Sequence, residues 1–425
     1  MTIIQRLAML SVHTCPQAVL GGKKTGGMNV YVRELAQELG RRGIKVDVFT
    51  RYQESCRGHM PILLGENVRV IHIRTGGDQS LDSDQIYPLL PEFASEVLSF
   101  AAAEGIVYDA IYSHYWLSGV VAHTLRAQWR IPVVQMFHTL GLMKDRIAPG
   151  EVGHVVDRPA DLRSFSEADI MSWADRIIAA TPAERTQMLW LYRAPRRKIE
   201  ILPPGVNLAR FHPMPQAEAR AAIGIKTPCK LFLFVGRIEP LKGVDTIFEA
   251  IALLRQTAPD LTRHLCLSII GGAPDVSGEN AEMDRLKGLC QSLGLEDLVV
   301  FLGAKDQDAL HHYYAASEAL IIPSDYESFG MVALEAMACG TPVIASNVGG
   351  LSFLVRDGVN GYHVPVRDPA ALRDRIQLLL QHPELRAILS ENAALDAVGY
   401  SWNQIGDRLV EIITRVTIPT PVGYN

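Results

Sequence analysis

A chain of 425 residues, 48% apolar and 20% charged, has the composition of a soluble globular protein and exceeds one ordinary core, so two domains are expected. The net charge of -5, from 41 Lys and Arg against 46 Asp and Glu, provides no broad basic footprint and excludes a nucleic-acid partner. Six scattered cysteines, with no C-x-x-C pair, read as reduced thiols of a cytoplasmic protein, and no apolar run approaches the roughly 18 to 20 residues that span a bilayer.

The opening "MTIIQRLAMLSVHT" carries Arg6 inside its apolar stretch and reads as a first strand rather than a signal peptide. Next, "GGKKTGGMNVYVREL", residues 21–35, superficially resembles a P-loop. A Walker A needs glycine where this chain has Lys23 and Ala18, which excludes a nucleotide triphosphatase. What remains is a Gly-rich loop opening a helix at about Met28. Its free N–H groups can hold an anion, beside Lys23 and Lys24.

Short, continuously apolar runs then alternate with helix-period segments: "VDVFT", "VRVIHI", "AIYSH", "VVQMF", "RIIAAT", and later "LFLFVG", "LCLSIIGG", "LVVFLG", "ALIIPS" and "PVIAS". Such runs are required by a parallel sheet covered on both faces, so the fold class is doubly wound α/β. "SHYWLSG" and "QMFHTLG" each end a strand with a histidine, His114 and His138. One alone would read as structural; two at sheet carboxyl ends point to a site. The basic cluster "RAPRRK", 193–198, reads as a solvated turn entering a strand, the alternative being a membrane-surface or acceptor-facing role.

The prolines of "ILPPGVNLARFHPMP" interrupt the pattern and place a domain boundary near Gly205, giving domains at 1–205 and 206–400 with a crevice between their sheet edges. Beyond it, "FVGRIEPLKGVDTIFEAI" sets Arg237 and Lys242 between a buried strand and a helix starting near Val244. Two cations at that edge suit a diphosphate, solvation being the plain alternative. "PSDYESFGMVALEAMACGTPVIAS" puts Glu327 in the loop before a helix expected to start near Phe329, and Glu335 inside it. Carboxylates accept hydrogen bonds from vicinal hydroxyls, whereas a solvated glutamate explains Glu335 poorly between Leu334 and an apolar strand. Of the two D-x-D strings, "DSD" at 82–84 lies in the first domain and "DQD" at 306–308 reads as acids at a helix start, so no metal site is expected. The tail, 401–425, aligns Trp402, Ile405, Leu409, Ile412 and Val416 in one apolar stripe, on a helix that packs on the second domain or crosses back to the first.

Together "TGGMNVYVREL", "HYWLSG", "HTLG", "GRIEPLKG" and the E-x7-E of "ESFGMVALE" resemble family four of the retaining glycosyltransferases over nearly the whole chain. The resemblance implies the GT-B fold, two Rossmann-like domains facing across a crevice, and a nucleoside diphosphate sugar, expected to be a UDP-sugar, as substrate. It implies that Arg237 and Lys242 neutralise the departing diphosphate, Glu335 holds the ribose, Glu327 contacts the transferred sugar, Phe329 and Gly330 shape the phosphate site, Gly27 lies close to the diphosphate or acceptor, and His138 contacts the donor sugar. Front-face attack then needs no protein nucleophile, and neither a cofactor nor an essential metal is implied. The first half is most similar to inositol-phosphate N-acetylglucosaminyltransferases, with sucrose-phosphate synthases also close. Their motif positions carry an acceptor site of Asn29, Tyr115, Thr139 and Arg163, with Tyr115 and Arg163 receiving a phosphate. Lys24 replaces the Asp of the inositol-phosphate enzymes, and their phosphate-binding Lys near "LDSDQIYP" is replaced at about Ser83, which is consistent with a relocated phosphate, held by Lys24, or with an unphosphorylated acceptor.

The expectation is therefore transfer of a hexosyl group from UDP-glucose or UDP-N-acetylglucosamine to fructose 6-phosphate, an inositol phosphate or a similar small acceptor. A UDP-sugar 2-epimerase, or a transferase acting on a lipid or glycan, is the alternative. A homodimer is compatible with either.

Overall fold

The computed structural model describes residues 4–18, 26–54, 62–143, 162–225, 229–272 and 281–418. Lys24 and its neighbours Lys23 and Thr25 lie outside the described residues. The chain divides into two compact units, one of Met1–Ala18, Gly27–Pro204 and Trp402–Asn425, the other of Val19–Gly26 and Gly205–Ser401.

The first unit is built on an eight-stranded sheet. Its strands are β1 (Arg6–Leu10), β2 (Lys45–Arg51), β3 (Ile62–Gly65), β4 (Val68–Ile73), β5 (Ala110–His114), β6 (Val133–Met136), β7 (Arg176–Ala179) and β8 (Ile199–Ile201), in the order β3-β4-β2-β1-β5-β6-β7-β8. All neighbours run parallel except β3, which pairs antiparallel with β4 at the edge. That strand alternates between half-buried and exposed residues, so it lacks the continuous apolar signature of the buried ones. Helices cover both faces, and Phe49, Phe93, Trp116 and Ile177 are among the residues of the core.

The second unit has a six-stranded, all-parallel sheet, β11-β10-β9-β12-β13-β14. These strands are β9 (Lys230–Val235), β10 (Leu265–Ile270), β11 (Val299–Gly303), β12 (Ala319–Ile322), β13 (Val343–Ser346) and β14 (Gly361–Val364). Phe232, Phe248, Ile321, Ile344 and Leu389 belong to its core. In both sheets the strand order reverses direction once, at β1/β5 and at β9/β12. Such switch points open a gap beyond the strand carboxyl ends, where α/β sheets bind ligands.

The last helix, Trp402–Thr417, packs on the helix Gly27–Arg41 of the first unit. Trp402 meets Tyr31 edge to face at 5.5 Å, Arg42 pairs with Asp407 at 2.9 Å, and Arg408 Nη2 donates to the Ile201 carbonyl at 2.7 Å. The basic run at 196–198 is a single 3-10 turn leading into β8, with Lys198 Nζ donating to the Ser172 carbonyl. Asp82 and Asp306 occupy N-cap positions, Asp82 in a capping box with Gln85.

Candidate active site

Each unit gathers its candidate residues at the carboxyl edge of its own sheet. In the first, β5 ends at His114 and β6 is followed by His138, bringing His114 Nδ1 and His138 Nε2 to 3.0 Å. Tyr115 and His138 have φ of 71° and 63°, left-handed values uncommon for side chains of this size. Backbone strain of this kind persists where surrounding structure over-determines it, commonly at functional sites. Tyr31 braces both imidazoles edge-on, and its hydroxyl lies 2.7 Å from that of Tyr112. Burial, and then the neighbouring His138, hold His114 well below the ordinary histidine range; burial, and then His13, push His138 down to about 3. Both rings are therefore neutral at physiological pH, able to donate or accept one hydrogen bond without adding positive charge.

Beside them stand three of the four sequence-derived acceptor residues. Arg163 lies with its guanidinium 5.0 Å from the Tyr115 ring centre and donates from Nη2 to Thr139 O (2.7 Å) and Oγ1 (3.0 Å). Asn29 is placed differently. It is buried in the first turn of its helix, and Nδ2 donates to Thr14 Oγ1 at 2.5 Å and to the Cys15 carbonyl at 2.7 Å, fastening the loop after β1. Gly27 begins the same helix and is exposed.

In the second unit, Arg237 follows β9 and pairs with Glu239 at 2.8 Å; its side chain is 44% exposed and open to a ligand from solvent. Lys242 ends a 3-10 turn before the helix that starts at Val244, and its Nζ meets Glu327 Oε2 at 2.6 Å. Both cations thus rest against carboxylates. Glu335 is buried, accepting from Tyr314 Oη at 2.9 Å and Gln307 Nε2 at 3.2 Å. Neither of those partners was singled out from sequence, since both sit on the separate helix Gln307–Ala316.

The helix carrying Glu335 is Met331–Ala338, two residues later than expected. Gly330, at φ 98°, holds a left-handed turn immediately before it and keeps Phe329 and Gly330 out of the helix. Phe329 itself is turned into the core towards Tyr400, so its backbone rather than its ring is available at the site. Gly349 and Gly350 press against this loop: a Cβ on Gly349 would stand 2.0 Å from the Glu327 carbonyl oxygen, and one on Gly350 2.2 Å from Phe329 Cα. Among the described residues, no group of three or more His, Cys, Asp or Glu side chains could hold a metal ion. No helix among them is long and apolar enough to cross a membrane.

Residues 26–205 match the glycosyl transferase 4-like domain and residues 215–396 match glycosyl transferases group 1. The D-inositol 3-phosphate glycosyltransferase of Actinosynnema mirum is 39% identical over 411 residues, covering 96% of each chain. This chain belongs to the group 1 glycosyltransferases. A second enzyme of that description, from Thermobispora bispora, is 38% identical to the glycosyltransferase over 430 residues, 99% of this chain and 98% of its own. Among solved structures, sucrose-phosphate synthase from Thermosynechococcus elongatus superimposes with a TM-score of 0.86 at 33% identity, over 97% of this glycosyltransferase and 98% of that chain. The GT-B fold and the transferase chemistry expected from the motifs are those of these relatives.

Proposed function

We propose that this glycosyltransferase moves a hexosyl group, with retention, from a UDP-sugar to a small phosphorylated polyol or sugar. The observation that carries the acceptor half is Arg163, anchored by Thr139 and lying against Tyr115, a fixed guanidinium at the carboxyl edge of the sheet. A guanidinium stays charged at any working pH, and with Nη2 on Thr139 and Nε on Glu167 it is Nη1 that can donate charge-assisted hydrogen bonds to a phosphate. The relatives named for inositol 3-phosphate and for sucrose phosphate support the same acceptor chemistry.

On the donor side, the diphosphate displaces Glu239 and Glu327 from Arg237 and Lys242. Fixed cations placed where the leaving phosphate develops charge lower the barrier to departure. Glu327, released from Lys242, turns to a hydroxyl of the transferred sugar, and Glu335 takes the ribose hydroxyls while Tyr314 and Gln307 keep its carboxylate in place. Neutral His138 donates one hydrogen bond to the sugar without competing for the diphosphate.

Mass spectrometry of products formed from UDP-glucose and UDP-N-acetylglucosamine, with inositol 3-phosphate, fructose 6-phosphate and their unphosphorylated forms, tests this reading. A phosphorylated disaccharide or pseudo-disaccharide is expected, lost in Arg163→Ala. Turnover of only the unphosphorylated acceptors would overturn it. A donor sugar changing stereochemistry with no acceptor present would instead reveal a 2-epimerase.

A further inference from the structure

Behind Arg163 lies a carboxylate for which the reading above has no use. Glu167, one helical turn further along Leu162–Trp173, has no exposed surface. It accepts from Arg163 Nε at 2.8 Å, from the Gly141 amide at 2.9 and 3.2 Å through its two oxygens, and from the Tyr192 hydroxyl. Tyr192 in turn accepts from the Leu142 amide at 3.0 Å. Three segments distant in sequence therefore meet at one carboxylate: the loop after β6, the helix bearing Arg163, and the residue closing the helix Pro182–Leu191.

A surface Arg–Glu pair four residues apart is ordinarily solvated and loose. Here the acid is the inner partner and every donor reaches it from the protein, so moving Arg163 would strand a buried carboxylate. The guanidinium is consequently held at Nε by Glu167 and at Nη2 by Thr139, against the Tyr115 ring, and Nη1 has no protein partner among the described residues. Burial pushes the Arg163 pKa down, but the charge of Glu167, its hydrogen bond to the guanidinium and the neighbouring Tyr115 and Tyr192 together outweigh this, and the net shift is upward.

We propose that Glu167, seated by Tyr192 and the Gly141 amide, is the positioning residue that aims Arg163 at the acceptor's phosphate and so sets the preference for phosphorylated over unphosphorylated acceptors. The proposal rests on Arg163 being the phosphate ligand. Glu167 does not touch the acceptor; it fixes the direction of the group that does.

Steady-state kinetics on the full chain separate aiming from simple bracing of the fold. The variants are Glu167→Gln and Tyr192→Phe, with Arg163→Ala as reference, assayed on inositol 3-phosphate against inositol and fructose 6-phosphate against fructose. Misdirecting a charged ligand by about 1 Å commonly costs on the order of 100-fold. Glu167→Gln should accordingly raise the KM for the phosphorylated acceptor by on the order of 10-fold to 100-fold and leave the KM for the nucleotide sugar unchanged. Tyr192→Phe, which removes one hydroxyl, should move the same KM in the same direction by less. If Glu167→Gln does not fold, as a thermal melt will show, Tyr192→Phe decides alone. Unchanged acceptor KM in the folded variants, with kcat reduced equally for all acceptors, overturns the proposal while Arg163→Ala still upholds the acceptor reading. An unaffected KM in Arg163→Ala would sink both.

Discussion

Replacing Gly350 with alanine tests whether the loop 327–330 must sit where it does. Gly350 has φ -71° and ψ -25°, ordinary for any residue, so an added methyl brings no backbone strain of its own. It would stand 2.2 Å from Phe329 Cα and 2.5 and 2.6 Å from the Ser328 and Phe329 carbonyl oxygens, all of them backbone atoms with no rotamer to give. Ordinary Cβ contacts begin at 3.4 Å, and closing the gap from 2.2 Å moves the Phe329 backbone by about 1.2 Å. That backbone continues into Glu327, whose carbonyl accepts from Gly350 N at 2.8 Å and whose side chain meets Lys242. A displacement of this size at a positioning group costs about 100-fold in kcat/KM for the nucleotide sugar, or roughly 2.7 kcal/mol. Overpacking should lower stability by about 1–3 kcal/mol as well. Gly288→Ala is the control: its Cβ meets nothing within 4 Å, on the exposed side of the helix Ala281–Ser292, and it should keep full activity. A folded Gly350→Ala enzyme with kcat/KM within about threefold of wild type would refute the reasoning.

Lys242→Ala should lower kcat by about 100-fold to 1000-fold. Its melting temperature should barely move, because the pair with Glu327 is partly solvated and such pairs contribute at most about 1 kcal/mol. Trp402→Ala should destabilise the first unit by about 3–5 kcal/mol in a denaturant titration, since the indole is buried against Tyr31. The depressed pKa values of His114 and His138 mean that the unfolded chain binds more protons below about pH 6.5. Stability from these rings is complete above that pH and falls on acidification, for His138 as the pH drops from 6.5 towards 3 by up to about 1.4 kcal/mol per pH unit, with His114 acting in the same direction. Glu184, pushed up by burial to about 7, runs the other way: its contribution is complete below about 4.5 and is lost as the pH rises through 7. Thermal melts between pH 5 and 7 should therefore show a net loss on acidification, shallower in His138→Asn; an unaltered slope in that variant would count against a low His138 pKa.

Most of the sheet was legible because buried parallel strands write themselves as unbroken apolar runs. Strands β3 and β14 were not, for different reasons. The first is half-exposed at an edge, and the second, "GYHV", is four residues long and opens with glycine. At the site, the spacing of Glu327 and Glu335 and the pair Arg237 and Lys242 stood out because charge beside a buried strand needs a reason. The start of the helix at Met331 did not, because the positive φ of Gly330 is a tertiary demand that "FGM" does not announce. Glu167 was invisible for the opposite reason. An acid four residues after an arginine is the commonest pattern on a solvated helix face, and only the folded chain shows the acid pointing inward. Asn29 carries a structural part that its motif does not announce, its amide tying down Thr14 and the Cys15 carbonyl.

The chain leaves the first unit at Pro204 and re-enters it at Trp402, and the two crossings are zipped together where Val206 N donates to the Tyr400 carbonyl at 2.8 Å. During synthesis the first unit is thus begun first and completed last. Ribosomes add about 5–20 residues per second, so the segment 205–401 takes roughly 10 to 40 s to emerge. Throughout that interval Tyr31 and the outer face of its helix wait for a cover that is not yet translated. A nascent chain stalled anywhere within the second unit therefore holds Tyr31 without the Trp402 indole, and Arg42 without the Asp407 carboxylate, that cover them in the finished enzyme.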